Sequence, residues 1–178
     1  RRRAELRALA LGRGGCQLLD QAGRRRRKAD FGGQWVLLYF GFTRCPDVCP
    51  AELEKLSRAV ALLEREPGLP PVQPLFITVD PQRDDVAAMA RYVRDFHPRL
   101  LGLTGSPEEV RAAGGDYRVY ASAGPRDEDG DYLVDHSVLI YLLGPDGLLL
   151  DCYGPAKTAA QIARSVRRHM ETYRPLLD

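Results

Sequence analysis

Eight consecutive residues, Trp35 to Phe42, are apolar almost throughout. A strand with no solvated side belongs in the middle of a sheet, covered on both faces, so this run asks for a layered fold. A second run, Val138 to Leu143, asks for the same cover. Around them the pattern alternates between short apolar strands and helical spacing. Strands are expected at Cys16–Leu19, Trp35–Phe42, Leu75–Val79, Leu100–Leu103, Ser137–Leu143 and Leu148–Cys152. Helices are expected over about Val48–Glu66, Asp84–Phe96, Pro107–Ala113 and Thr158–Tyr173, with Leu53, Leu56, Val60 and Leu63 as the buried stripe of the first. Pro67 to Pro74 reads as a loop, Gly144 to Gly147 as a hairpin turn, and Gly124 to Asp131 as structureless. The alternation makes the chain an α/β protein with one core, which 178 residues at 44% apolar content can build without a metal or disulfide framework.

Neither apolar run approaches the 18 or more residues needed to span a bilayer. The net charge of +2 hides an asymmetry: Arg1 to Lys28 hold ten basic and two acidic residues, so the remainder is acidic. Residues 1–15 read as a basic arm following a removed membrane segment, and 16–178 as the folded domain. Arg24 to Lys28 lack interleaved aromatics and read as a solvated, charged turn, so nucleic acid is not an expected partner.

Chemistry concentrates in Gly41-Phe42-Thr43-Arg44-Cys45-Pro46-Asp47-Val48-Cys49-Pro50, where two thiols follow the buried strand and open a helix. A helix N-terminus presents unpaired N–H groups and the positive end of its dipole, which is expected to lower a thiol pKa and favour the thiolate. Thiols four residues apart on a first turn also share one face. Cys16 and Cys152 have no such setting and read as structural or incidental, with pairing to each other left open. Of the histidines, His97 and His169 read as surface residues. His136, in Val134-Asp135-His136-Ser137, stands before a core strand, where thioredoxin-like folds bring a loop against the cysteine helix. Two thiolates and one imidazole form a soft, three-coordinate set that favours copper(I) and tolerates copper(II), while structural zinc would want a fourth ligand. Asp127, Glu128, Asp129, Asp131 and Asp135 add negative charge nearby and read as a solvated loop.

The CPDVCP box after WVLLYFGFT, the FITVDPQRDD step and the DHS before a strand, occurring in that order, resemble the Sco-type copper chaperones over nearly the whole body. ELEKL, EPGLPPVQP and MARYVRDFHPRLLGLTG most resemble the second of the family's two vertebrate branches. The resemblance implies a thioredoxin-like fold with a central mixed sheet flanked by helices, an N-terminal extension and an inserted hairpin. It also implies a tether in the mitochondrial inner membrane, with the domain facing the intermembrane space. Copper would be held by Cys45, Cys49 and His136, and the cysteines would also be a redox pair. The implied partners are cytochrome c oxidase subunit II, a copper-donor chaperone of the intermembrane space and the paralogous Sco protein. Arg44 departs from a usual His, Ala51 from a usual acid and Cys152 from a usual aromatic residue, and Cys16 is unusual.

Two other readings compete. A thiol-disulfide oxidoreductase or peroxidase of the thioredoxin class would use the same cysteines, but the spacing is CxxxC rather than CxxC, and His136-Ser137 stand where such enzymes place a cis-proline. An interaction protein with an unused site is the other, since fold alone implies no chemistry.

Overall fold

The computed structural model describes residues 17–115, 121–123, 134–136 and 138–175. The arm, Cys16, Ser137 and the segment Gly124–Asp131 with its acidic residues lie outside the described residues. Strands β1 (Gln17–Asp20), β2 (Arg25–Arg27), β3 (Trp35–Gly41), β4 (Val72–Thr78), β5 (Leu101–Thr104), β8 (Ile140–Leu143) and β9 (Leu149–Tyr153) form one sheet. Its order is β2-β1-β5-β4-β3-β8-β9, with a separate pair β6 (Ala121–Ala123) and β7 (Val134–His136). The helices are α1 (Val48–Glu64), α2 (Val86–Val93), α3 (Pro107–Gly115) and α4 (Ala159–Thr172).

Strand β3 is central, as its composition requires: it runs parallel to β4 and antiparallel to β8, and all seven residues are buried. Its side chains alternate between two cores. Leu37 and Tyr39 face Leu53, Leu56, Met89, Ile162 and Val166 of α1, α2 and α4, while Val36, Leu38 and Phe40 face Val110 and Ala113 of α3. Each fully buried leucine contributes roughly 1.5–3 kcal/mol of transfer free energy, so the stripe Leu53, Leu56, Val60 and Leu63 fixes which way α1 faces. Helix α4 is held at its start by a capping box: Gln161 N–H donates to Thr158 Oγ1 at 3.2 Å, and Thr158 N–H donates to Gln161 Oε1 at 2.9 Å.

Several boundaries differ from expectation. Strand β4 begins at Val72, inside the expected proline loop. Pro74 is tolerated because β5 pairs only from Leu75 onward, and the Pro74 carbonyl on that side takes its hydrogen bond from the Gln73 side chain at 3.0 Å. The charged turn at Arg24–Lys28 contains strand β2, paired antiparallel with β1 and fastened by Arg26 Nε to the buried Asp20 carboxylate at 2.9 Å. Burial alone would raise the Asp20 pKa, but the bonds from Arg26 and from the Arg24 and Ala22 N–H groups hold it below the usual carboxylate value. Helix α2 begins two residues late because Asp85 caps it, accepting from Ala88 N–H at 2.8 Å. The expected strand from Ser137 begins at Ile140, and residues 134–136 pair instead with 121–123. No helix among the described residues is long and apolar enough to cross a membrane.

Candidate metal centre

The two thiols sit where β3 hands over to α1. Gly41 ends the strand, its carbonyl accepting from Val79 N–H at 2.8 Å, and the chain turns so that Cys45 N–H meets the Phe42 carbonyl at 3.2 Å. The exposed knuckle Pro46-Asp47-Val48 follows, and Cys49 is the second residue of α1. Asp47 makes no side-chain cap; instead the Cys49 N–H points at Cys45 Sγ at 3.4 Å, so a sulfur serves one of the helix's orphan donors. On its other side Cys49 Sγ accepts the Tyr39 hydroxyl at 3.4 Å. Gly41 is required by close approach: a Cβ there would lie 2.8 Å from both Cys49 Sγ and Tyr39 Cε1.

Burial separates the two sulfurs, Cys45 being 8% exposed and Cys49 fully buried. Burial pushes the Cys49 thiol up to about 12, although the Tyr39 hydroxyl and Phe42 N–H both favour its thiolate. This corrects the expectation from the helix dipole: at Cys49 desolvation outweighs the N-terminal field. Tyr39 is likewise driven above its ordinary value, first by burial and then by Cys49.

The loop holding Cys45 is bolted from beneath by a residue that sequence reasoning did not single out. Asp84 is fully buried, and its carboxylate accepts from Thr43 N–H at 2.9 Å, Thr43 Oγ1 at 2.5 Å and Thr78 Oγ1 at 2.7 Å. Its carbonyl accepts from Thr104 Oγ1 at 2.6 Å, so one residue joins β4, β5 and the cysteine loop. Next to it, Asp80 pairs with Arg83 Nε at 2.5 Å. The signal was present in FITVDPQRDD as two aspartates at a strand end, but polarity alone does not reveal burial. Glu52 was also missed. It is buried one turn after Cys49, with Oε1 3.0 Å from Lys55 Nζ and Oε2 without a hydrogen-bond partner.

His136 is placed by the small β6–β7 pair, apart from the main sheet. It ends β7 opposite Ala121 and stands four residues before Ile140, which pairs with Tyr39, the partner of Cys49. Four residues span at most about 14 Å, which bounds the distance between these two backbone positions. Among the described residues the metal-binding side chains gathered at this site are the dithiol pair, and no group of three is assembled. His97 and His169 are engaged elsewhere. The His97 side chain is buried rather than on the surface, with Nε2 3.0 Å from Glu64 and Nδ1 accepting from Arg99 N–H. His169 is half-buried against Asp151 at 3.0 Å. Cys152 is a free, exposed thiol on β9.

The order of these features matches known proteins. The SCO1/SenC family model covers residues 7–171. The chain belongs to the SCO1/SenC family. It is 66% identical over 178 residues to the mitochondrial SCO2 homolog of Homo sapiens, covering all of this chain and 67% of that protein. With the mitochondrial SCO2 homolog of Danio rerio it shares 66% identity over 169 residues, covering 95% of this chain and 61% of that protein. The chain thus spans about two thirds of the length of these relatives. Among solved structures, the copper-bound crystal structure of Arabidopsis thaliana ScoI superposes with a TM-score of 0.83 at 42% identity, over 88% of this chain and 96% of that one. The thioredoxin-like fold, with its mixed sheet and flanking helices, is therefore the SCO1/SenC fold.

Proposed function

We propose that this SCO1/SenC domain is a copper metallochaperone that carries one copper ion on Cys45, Cys49 and His136. Its acceptor is the binuclear copper site of cytochrome c oxidase subunit II, which it serves by delivering copper, by reducing the site's cysteines, or both. The observation that carries this reading is the buried dithiol at the mouth of α1, with Cys49 Sγ fixed by Tyr39 and Gly41 and Cys45 Sγ 3.4 Å from the Cys49 N–H. Two soft sulfurs in a dry setting suit copper(I), and a plant relative of the same fold is described with copper bound. A nitrogen supplied from the neighbouring loop would complete a three-coordinate set that leaves room for an acceptor's ligand.

Copper here is cargo, and the protein's task is to exchange a proton for it. A thiol near 12 is ionised in only roughly one molecule in 10⁵ at pH 7, so Cys49 is a poor free nucleophile, and copper takes the place of its proton. Cys45 and Cys49 can also close a disulfide that switches the site off. The proposed setting is the mitochondrial inner membrane, facing the intermembrane space, with copper received from a donor chaperone there and the paralogous Sco protein as a further partner. Anaerobic titration of the reduced chain with copper(I) tests the reading. One equivalent bound tightly, and lost in Cys45→Ser and Cys49→Ser, is expected; unchanged affinity in both variants overturns the assignment.

A further inference from the structure

Strand β3 reaches the thiols through Tyr39. The residue is fully buried in the middle of the sheet, in register with Phe76 of β4 on one side and Ile140 of β8 on the other. Its ring stacks on Phe76, with centroids 6.4 Å apart and planes at 22°. Backbone register and ring packing therefore fix where the hydroxyl points, and it donates to Cys49 Sγ at 3.4 Å. The Phe42 N–H is a second donor to the same sulfur, while Cys45 Sγ faces the Cys49 N–H at 3.4 Å. Dipoles fixed in a dry site do not turn to suit whichever charge arrives, as water would, so they favour the state that leaves the most negative charge on the sulfur.

We propose that Tyr39 selects the oxidation state of the cargo: its hydroxyl, aimed at Cys49 Sγ, makes the site prefer copper(I) to copper(II). Tyr39 acts through Cys49 and is a positioning residue, and its role rests on the copper reading proposed above. Copper(I) draws less electron density from a thiolate than copper(II) does, so the sulfur it holds is the better hydrogen-bond acceptor. A bond to a charged acceptor is roughly twice as strong as one to a neutral acceptor, and the Tyr39 bond therefore stabilises the copper(I) form more than the copper(II) form. Both forms displace the same thiol protons, so the cost of removing those protons cancels from the ratio of the two affinities. What remains in that ratio is the charge left on the sulfurs and the donors aimed at it.

The test is the reduction potential of copper bound to the whole chain, read by anaerobic spectroelectrochemical titration with a one-electron mediator. Tyr39→Phe keeps the ring against Phe76 and deletes the donor. Its preference for copper(I) is expected to fall about tenfold, a drop of about 59 mV for one electron. Fluorotyrosine at position 39, a stronger donor of nearly the same shape, is expected to raise the potential, which a packing role would not do. Tyr92→Phe is the matched control: that hydroxyl is also buried, but it has no hydrogen-bond partner among the described residues, so the wild-type potential is expected. A folded Tyr39→Phe chain that binds one copper at the wild-type potential overturns the role of Tyr39 and leaves the copper reading standing, as does an equal drop in Tyr92→Phe. Where Tyr39→Phe does not fold, the fluorotyrosine chain decides, and a potential that stays or falls overturns the proposal. A wild-type chain that binds no copper overturns the copper reading itself, and this role with it.

Discussion

Replacing Asp84 by alanine should loosen the copper site without touching a copper ligand. Its carboxylate accepts three hydrogen bonds in full burial, two of them from Thr43, two residues before Cys45. Removing the acceptor leaves the Thr78 hydroxyl without it in the buried core, and the Thr43 N–H and hydroxyl without it at a half-buried position. Hydrogen bonds to a charged group contribute about 1.5–3 kcal/mol each and do not add fully, so a loss of about 3–5 kcal/mol is expected. That is a large share of a domain's usual 5–15 kcal/mol and corresponds to a fall in melting temperature on the order of 10 °C. Asp84→Asn keeps the shape and at least one acceptor, so about 1–2 kcal/mol is expected for it. Urea unfolding of the apo chain measures both. Because Thr43 leads directly into Cys45, the Thr43 amide should also exchange faster in Asp84→Ala, and copper(I) affinity should fall about tenfold even where the fold persists. An Asp84→Ala chain within 1 kcal/mol of wild type, binding copper(I) as tightly, would refute the bolt.

Gly41→Ala places a methyl group 2.8 Å from Cys49 Sγ and should cost about 1–3 kcal/mol and weaken copper(I) binding, as read by competition titration. Apparent copper(I) affinity should rise with pH across the neutral range, by up to tenfold per unit from Cys49 alone. A thiol raised to about 12 is protonated throughout that range, and each unit of pH removes the competing proton tenfold; a flat profile between pH 6 and 8 contradicts this. His136→Ala should keep copper(I), since two thiolates suffice for linear coordination, yet transfer it poorly to the subunit II copper domain; parallel affinity and transfer assays separate the two. Mild oxidation should join Cys45 to Cys49 and abolish copper binding, which peptide mapping and titration of the oxidised chain check together.

Much of this was legible in the chain. The apolar run at Trp35–Phe42 announced a doubly covered central strand, and the helical stripe from Leu53 to Leu63 announced its cover, because both follow from burial acting on periodicity. Strand β2 was not legible. Arg25–Arg27 carries no apolar alternation, and its pairing depends on Asp20 being buried beneath Arg26. The start of β4 was hidden because Pro74 signals a breaker, and only the late start of β5 makes it harmless. At the site, CxxxC after a buried strand placed the two thiols side by side, as they are found, but gave the wrong direction for the Cys49 pKa. Helix position can be read from sequence, whereas depth beneath the surface depends on the close approach at Gly41 and the Tyr39 hydroxyl. Asp84 and Glu52 escaped for the same reason: acidic letters read as surface, and only tertiary packing shows them buried.

In the proposed site one copper(I) is held by two sulfurs and one nitrogen, from Cys45, Cys49 and His136. X-ray absorption at the copper edge, on the anaerobically loaded chain and on its His136→Ala variant, tests it most directly. Two sulfur scatterers and one imidazole nitrogen are expected in the wild type, with the imidazole signature gone and both sulfurs kept in the variant. A third sulfur in the wild type, or an imidazole signature that persists in His136→Ala, would contradict it.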